Sequence, residues 1–254
     1  MREILSDLVA EQQALDQFLQ GVKERDWKRQ TPCEGWTILD TVSHLAATEE
    51  FAAQVIESGK AVVDKILQVP YDEWTQEGVE RGRNRRYQEI IEWWRNGRAG
   101  VVGPLSRMDA SVRIPWLVAA VNAKTFATLR LAETWAHGLD IKFTMDDKIF
   151  VEEDEEDPRA DTPRIRHVAW LAHRMLPWAY EQAGVEFPQA GIRVEIMGPK
   201  YALWTFGPKD SPHVIKGLAG DFCRIAVHRM EPSEGKLRTS DDVAAQTLHI
   251  IRTY

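Results

Sequence analysis

The sequence predicts an α-helical N-terminal four-helix bundle followed by a smaller C-terminal α+β domain. Three observations carry this. Long segments before residue 150 repeat apolar residues at helical spacing. An acidic, proline-bearing stretch, VEEDEEDPRADTP (151–163), then interrupts the pattern. Beyond it, short alternating segments of strand type lie between helical ones. The expected organisation is a bundle over 1–150, a linker over 151–163 and an α+β domain over 164–254.

Residues 2–24 are expected to form the first helix, with Leu5, Leu8, Leu15, Phe18, Leu19 and Val22 on one face. TPCEGWT (31–37) is punctuated by Pro and Gly and reads as a loop. Thr37 with Asp40 three residues later is the signature of a capping box. It predicts a second helix over Ile38–Ser58, ended by Gly59. A third helix is expected from about Arg83 through EIIEWWRNGRAGVV, with Gly97, Gly100 and Gly103 weakening its later turns. Residues 107–120 suggest strand or loop, and a fourth helix covers 123–143. After the linker come a helix over 164–182, strands over 192–198, 201–207 and 213–220, and helices over 221–230 and 241–254.

Composition narrows the function. The net charge of −7 gives no attraction to nucleic acid or to an anionic membrane. No apolar run approaches the roughly 18 residues of a membrane span. The N-terminus lacks a signal-peptide core, so a cytoplasmic protein is expected. Cys33 and Cys223 make no CxxC and no disulfide framework, and both read as reduced and structural. Ten tryptophans imply a large core or an aromatic-lined pocket.

The fourth helix, AKTFATLRLAETWAHGLDIKF, carries the chemistry. Phe126, Arg130, Glu133, His137 and Asp140 follow at steps of four, three, four and three, which keeps them on one stripe. Apolar flanks surround that stripe, and ionisable groups inside a bundle need a partner or a metal. Glu133 and His137, one turn apart, could hold two corners of a metal shell, with His44 of the second helix as a third. On pattern alone, a Glu/His pair at this spacing more often marks a solvated face, and a lone His such as His44 is more often a hydrogen-bonded core residue.

TPCEGWTILDTVSHL (31–45) followed by RLAETWAHGLD (130–140) resembles the DinB-like superfamily, and within it the mycothiol-dependent maleylpyruvate isomerase group. WTFGP (204–208) and VIKGLAGDFCRIAVHR (214–229) are similar to that group's second, sterol-carrier-like domain. The resemblance implies that His44, Glu133 and His137 ligate a divalent metal, with mycothiol or another low-molecular-weight thiol as cofactor. It also implies an arginine of the second domain in the reaction, best matched by Arg229 and next by Arg224.

Two histidines and one carboxylate leave open coordination positions, as in a catalytic site. Zinc suits these donors best, with nickel, iron and manganese as alternatives. The leading expectation is an enzyme that uses a small thiol to isomerise or S-conjugate a small anionic electrophile. The thiolate would add to an activated double bond, allow rotation and leave, or remain attached. A metal-dependent hydrolase and a non-catalytic small-molecule binding module are the other readings. A homodimer is compatible with all three.

Asp140 could orient an imidazole or accept a proton. Arg130 could pair with Glu133 or a substrate carboxylate, or form a bundle salt bridge. Trp36 and Trp135 could line a cofactor pocket or fill the core. RGRNRR (81–86) would suit an anionic ligand if it faced the cleft, but is more often a solvated helix start; His173 reads as structural, as does His167 unless it lines the cleft.

Overall fold

The computed structural model describes residues 1–151 and 156–253. The expected linker falls partly on 152–155, which lie outside the described residues. The chain divides into two compact units, Met1–Ala160 and Asp161–Tyr254.

The first unit is a bundle of four long helices, α1 (Arg2–Gly21), α2 (Ile38–Ser58), α5 (Tyr87–Leu105) and α6 (Ala123–Thr144). Two shorter helices, α3 (Lys60–Ile66) and α4 (Tyr71–Arg83), sit between α2 and α5. A two-residue hairpin, β1 (Arg113–Ile114) with β2 (Val121–Asn122), precedes α6. The core is built where the apolar faces meet. Leu15 and Leu19 of α1, Val42 and Leu45 of α2, Ile90 and Trp94 of α5 and Ile141 of α6 pack in one cluster.

The start of α2 is where the sequence places it. Asp40 N–H donates to Thr37 Oγ1 at 3.2 Å, and Thr37 N–H donates to Asp40 Oδ2 at 2.9 Å. This reciprocal cap is worth about 1 kcal/mol and fixes the phase of α2, and so the direction of His44. Gly59 ends the helix at φ 70°, in the left-handed region that glycine adopts without strain.

The third expected helix differs from the structure at both ends. It begins at Tyr87, because α4 occupies 71–83 and a short turn separates the two. It also runs unbroken past Gly97 and Gly100. A Cβ at Gly97 would stand 2.9 Å from Glu49 Cβ, and one at Gly100 would stand 2.8 Å from Ala53 Cβ. These glycines let α5 lie close against α2, and that packing outweighs their low helix propensity.

The second unit holds a four-stranded sheet in the order β4-β3-β5-β6. Its strands are β3 (Arg193–Met197), β4 (Leu203–Phe206), β5 (Val214–Leu218) and β6 (Arg238–Thr239). β3 pairs antiparallel with β4 and parallel with β5, and β5 pairs antiparallel with β6. The helices are α7 (Ile165–Arg174), α8 (Leu176–Gln182), α9 (Ala219–Ala226) and α10 (Asp242–Ile250). The expected helix over 164–182 is thus broken near Met175. Val194, Ile196, Ile215, Leu171 and Phe222 are fully buried in this unit. Among the described residues, no helix is long and apolar enough to cross a membrane.

Candidate metal centre

His44 projects from α2, and Glu133, His137 and Asp140 project from one edge of α6. The i, i+4 spacing stacks Glu133 and His137 on successive turns. Glu133 Oε2 lies 3.5 Å from His44 Nε2 and 3.8 Å from His137 Nε2. The two imidazoles meet edge to face, with centroids 4.8 Å apart. One ligand atom from each of the three residues falls within 4.8 Å of the others. Both histidines are buried and Glu133 is nearly so.

The second nitrogen of His137 is also engaged. Its Nδ1 lies 3.1 Å from Asp140 Oδ2, and Asp140 is itself buried. Nε2 then faces Glu133, and in the neutral ring that keeps its Nδ1 proton on the carboxylate the lone pair lies at Nε2. Carboxylate, imidazole and an open Nε2 form the relay that orients metal-binding histidines. His44 Nδ1 is buried with no hydrogen-bond partner among the described residues.

The charges fit a cation. Burial works to raise the Glu133 carboxyl, but the hydrogen bond to His44 and the charges of His137 and Arg130 outweigh it and hold the group at about 2. Burial works to lower His137, but hydrogen bonds to Asp140 and Cys33 and the charge of Glu133 push it up to about 9. His44 is lowered, chiefly by burial. Two carboxylates thus draw a positive charge onto His137, and a metal ion at Nε2 would take the place of that proton. Two imidazole nitrogens and a carboxylate oxygen are a donor set for zinc and its neighbours.

The other expected residues divide between the centre and the rest of the fold. Arg130 is buried, and its Nε donates to Glu49 Oε1 at 3.2 Å rather than to Glu133. Trp36 stands at the site, its ring centroid 5.0 Å from that of His44 and 6.2 Å from that of His137. Trp135 is buried, but it follows Glu133 by two residues, roughly 200° round the helix, so it faces away from the ligand edge. The basic cluster is not only a helix start: Arg81 and Arg83 end α4, where they pair with Glu50 of α2 at 2.7 Å and Asp40 of α2 at 2.9 Å. His167 is buried in α7, and His173 Nε2 lies 2.9 Å from Ile192 O.

In the second unit, Arg224 forms a two-pronged contact with Asp161 at 2.8 and 2.9 Å. Arg229 follows the end of α9, and its Nη1 donates to Val227 O at 2.8 Å.

One residue of the site was not legible in the sequence. Cys33, read as structural, places Sγ 3.2 Å from Asp140 Oδ2 and 4.0 Å from His137 Nδ1. Neither cysteine is in a disulfide; Cys223 is buried and Cys33 partly so. No spacing rule brings residue 33 to residue 140. The hint was its place in the loop that enters the His44 helix.

Known proteins give a consistent family. Two uncharacterized proteins of Mycobacterium tuberculosis, Rv0036c of strain H37Rv and MT0041 of strain CDC 1551, are each 27% identical over 252 residues. In each case the match covers 98% of this chain and 94% of the relative. The crystal structure of the mycothiol-dependent maleylpyruvate isomerase, and that of a histidine-to-alanine mutant of it, share the fold. Each has a TM-score of 0.60 at 15% identity, covering 94% of this chain and 92% of the solved one. The family model described as the mycothiol maleylpyruvate isomerase N-terminal domain matches residues 8–142, the stretch that holds every residue of the candidate centre. The chain belongs to that family.

Proposed function

We propose that this protein is a metal-dependent enzyme that uses a low-molecular-weight thiol to isomerise or S-conjugate a small anionic electrophile. The convergence of His44 Nε2, Glu133 Oε2 and His137 Nε2 inside the bundle carries this reading. A divalent metal held by these three residues, zinc by preference, would stabilise a bound thiol as its thiolate at neutral pH. The name of the solved neighbours supports mycothiol as the thiol.

The chain's own groups have separate tasks. Asp140 holds His137 in the tautomer that presents Nε2. Trp36 packs beside both imidazole rings and helps to fix their orientation. Arg130, bonded to Glu49, adds its charge to the hydrogen bond from His44 and the charge of His137 that hold the Glu133 carboxyl low. Arg229 takes the anionic part of the substrate, as the motif resemblance implies, with Arg224 as the second choice.

Elemental analysis of the purified protein, followed by a panel of thiols with electrophilic substrates, tests the proposal. About one divalent metal per chain and turnover that saturates with one thiol are expected. Turnover of an ester or amide that ignores every thiol would overturn it in favour of a hydrolase. Metal and ligand uptake with no turnover would overturn it in favour of a binding module.

A further inference from the structure

Cys33 lies at the opposite edge of the His137 ring from Glu133 and His44. Glu133 faces Nε2, whereas the Cys33 thiol and Asp140 Oδ2 are at Nδ1. One carboxylate oxygen serves two donors, since Asp140 Oδ2 takes the thiol at 3.2 Å and the imidazole at 3.1 Å. Asp140 is 1% exposed, so each donor to its charge replaces hydration that the fold has removed.

The loop that carries Cys33 makes a second contact with the centre. Trp36, three residues on, packs against both imidazoles. The loop is closed by Thr31 N–H to Trp36 O at 2.8 Å and by Trp36 N–H to Cys33 O at 3.0 Å. Thr37 then caps α2, seven residues before His44. One short segment therefore touches the faces of both histidines, buttresses the carboxylate behind one, and sets the helix of the other.

We propose that the Thr31–Thr37 loop positions the two histidines of the centre, with Cys33 as a positioning residue that acts on His137 through Asp140. This rests on the reading of His44, Glu133 and His137 as metal ligands. Cys33 is not itself a ligand in this arrangement. A neutral imidazole has one lone pair, and the Nδ1–Asp140 hydrogen bond puts it at Nε2, away from the thiol. Cys33, His137 Nδ1 and Asp140 also lie close enough together to hold a metal. That set needs the other tautomer and breaks both hydrogen bonds to Asp140.

Cobalt(II) titration of the whole protein, followed by visible absorption, separates these cases. The variants are Cys33→Ala, Cys33→Ser, Asp140→Asn and the Cys33→Ala/Asp140→Asn double, with circular dichroism as the folding control. Cys33→Ala is expected to weaken cobalt binding roughly 3- to 10-fold and to shift the d–d bands, because the support behind His137 loosens. Cys33→Ser, which keeps a donor to Asp140, should restore binding to within roughly twofold. In the Asp140→Asn background, Cys33→Ala should have no further effect, since the cycle removes the residue through which it acts. Unchanged cobalt binding and spectrum in Cys33→Ala would overturn the proposal, as would an equal loss in both backgrounds. A sulfur-to-cobalt charge-transfer band present in the wild type and absent in Cys33→Ala would also overturn it, by making Cys33 a ligand. Wild-type protein that takes up no cobalt would overturn the metal reading and this inference with it. Normal wild-type uptake with an indifferent Cys33→Ala would overturn this inference alone.

Discussion

Arg130 and Glu49 meet at 3.2 Å in the interior of the bundle, about one helical turn from the His44–Glu133–His137 cluster, with side chains 2% and 0% exposed. The Trp116 ring lies 5.5 Å from the guanidinium carbon. Burial raises the Glu49 carboxyl, and the charges of Arg130 and Arg98 work against that rise. Arg130 thus compensates in part a carboxylate whose charge burial disfavours.

Arg130→Met should therefore destabilise the protein by about 3–5 kcal/mol, because it leaves a buried carboxylate without its partner. Arg130→Met combined with Glu49→Leu should recover most of the loss, since replacing a buried pair with apolar groups is often neutral. Urea unfolding midpoints decide this. A single variant as stable as wild type would show that Arg130 does not support the fold.

His44→Ala, Glu133→Ala and His137→Ala should each remove most bound metal while leaving the helical circular dichroism intact. The core of Leu15, Val42, Leu45, Trp94 and Ile141 is built without these side chains. Metal content by mass spectrometry is the readout. Full occupancy in the Glu133 variant would remove it from the ligand set.

The sequence showed what depends on local rules. Thr37 and Asp40 gave the start of α2, because a capping box is a contact within four residues. The four-three repeat from Phe126 to Asp140 put the α6 groups on one stripe for the same reason. Features that depend on contacts between distant residues stayed hidden. Helices α3 and α4 went unread, and α4 in particular packs on α2 through Gly78 and Gly82. The partner of Arg130 lies 81 residues away on another helix. Cys33 meets Asp140 across 107 residues, through a loop whose path no periodicity encodes.

The two arginines of VIKGLAGDFCRIAVHR should separate by kind of defect. Arg224→Ala breaks the fork on Asp161, so it should lower the thermal midpoint with little change in KM for the protein that remains folded. Arg229→Ala should raise KM for an anionic electrophile several-fold. Thermal scans beside steady-state kinetics read both. A reversed pattern would transfer the substrate-binding assignment to Arg224.

The last prediction concerns acid stability. Asp16 of α1 accepts hydrogen bonds from Arg95 at 2.6 and 2.9 Å and from Arg98 at 2.8 Å, both on α5. The hydrogen bond from Arg95 is the largest influence, and with Arg98 and Gln20 it outweighs burial and holds the Asp16 carboxyl at about 2, against 3.8 for an ordinary aspartate. A carboxyl whose folded value lies below its unfolded one stabilises the fold above the unfolded value. That stabilisation is lost as pH falls through the folded value. Asp16 should thus contribute about 1–2 kcal/mol at pH 7, after allowance for solvent screening, and lose it between about pH 4 and pH 2. Asp16→Asn should lower stability at pH 7 by about that amount, and the gap from wild type should close as the pH approaches 2. Urea denaturation of both proteins across this range measures it. A gap that stays constant with pH would mean that packing of the Asp16 side chain, rather than its charge, ties α1 to α5.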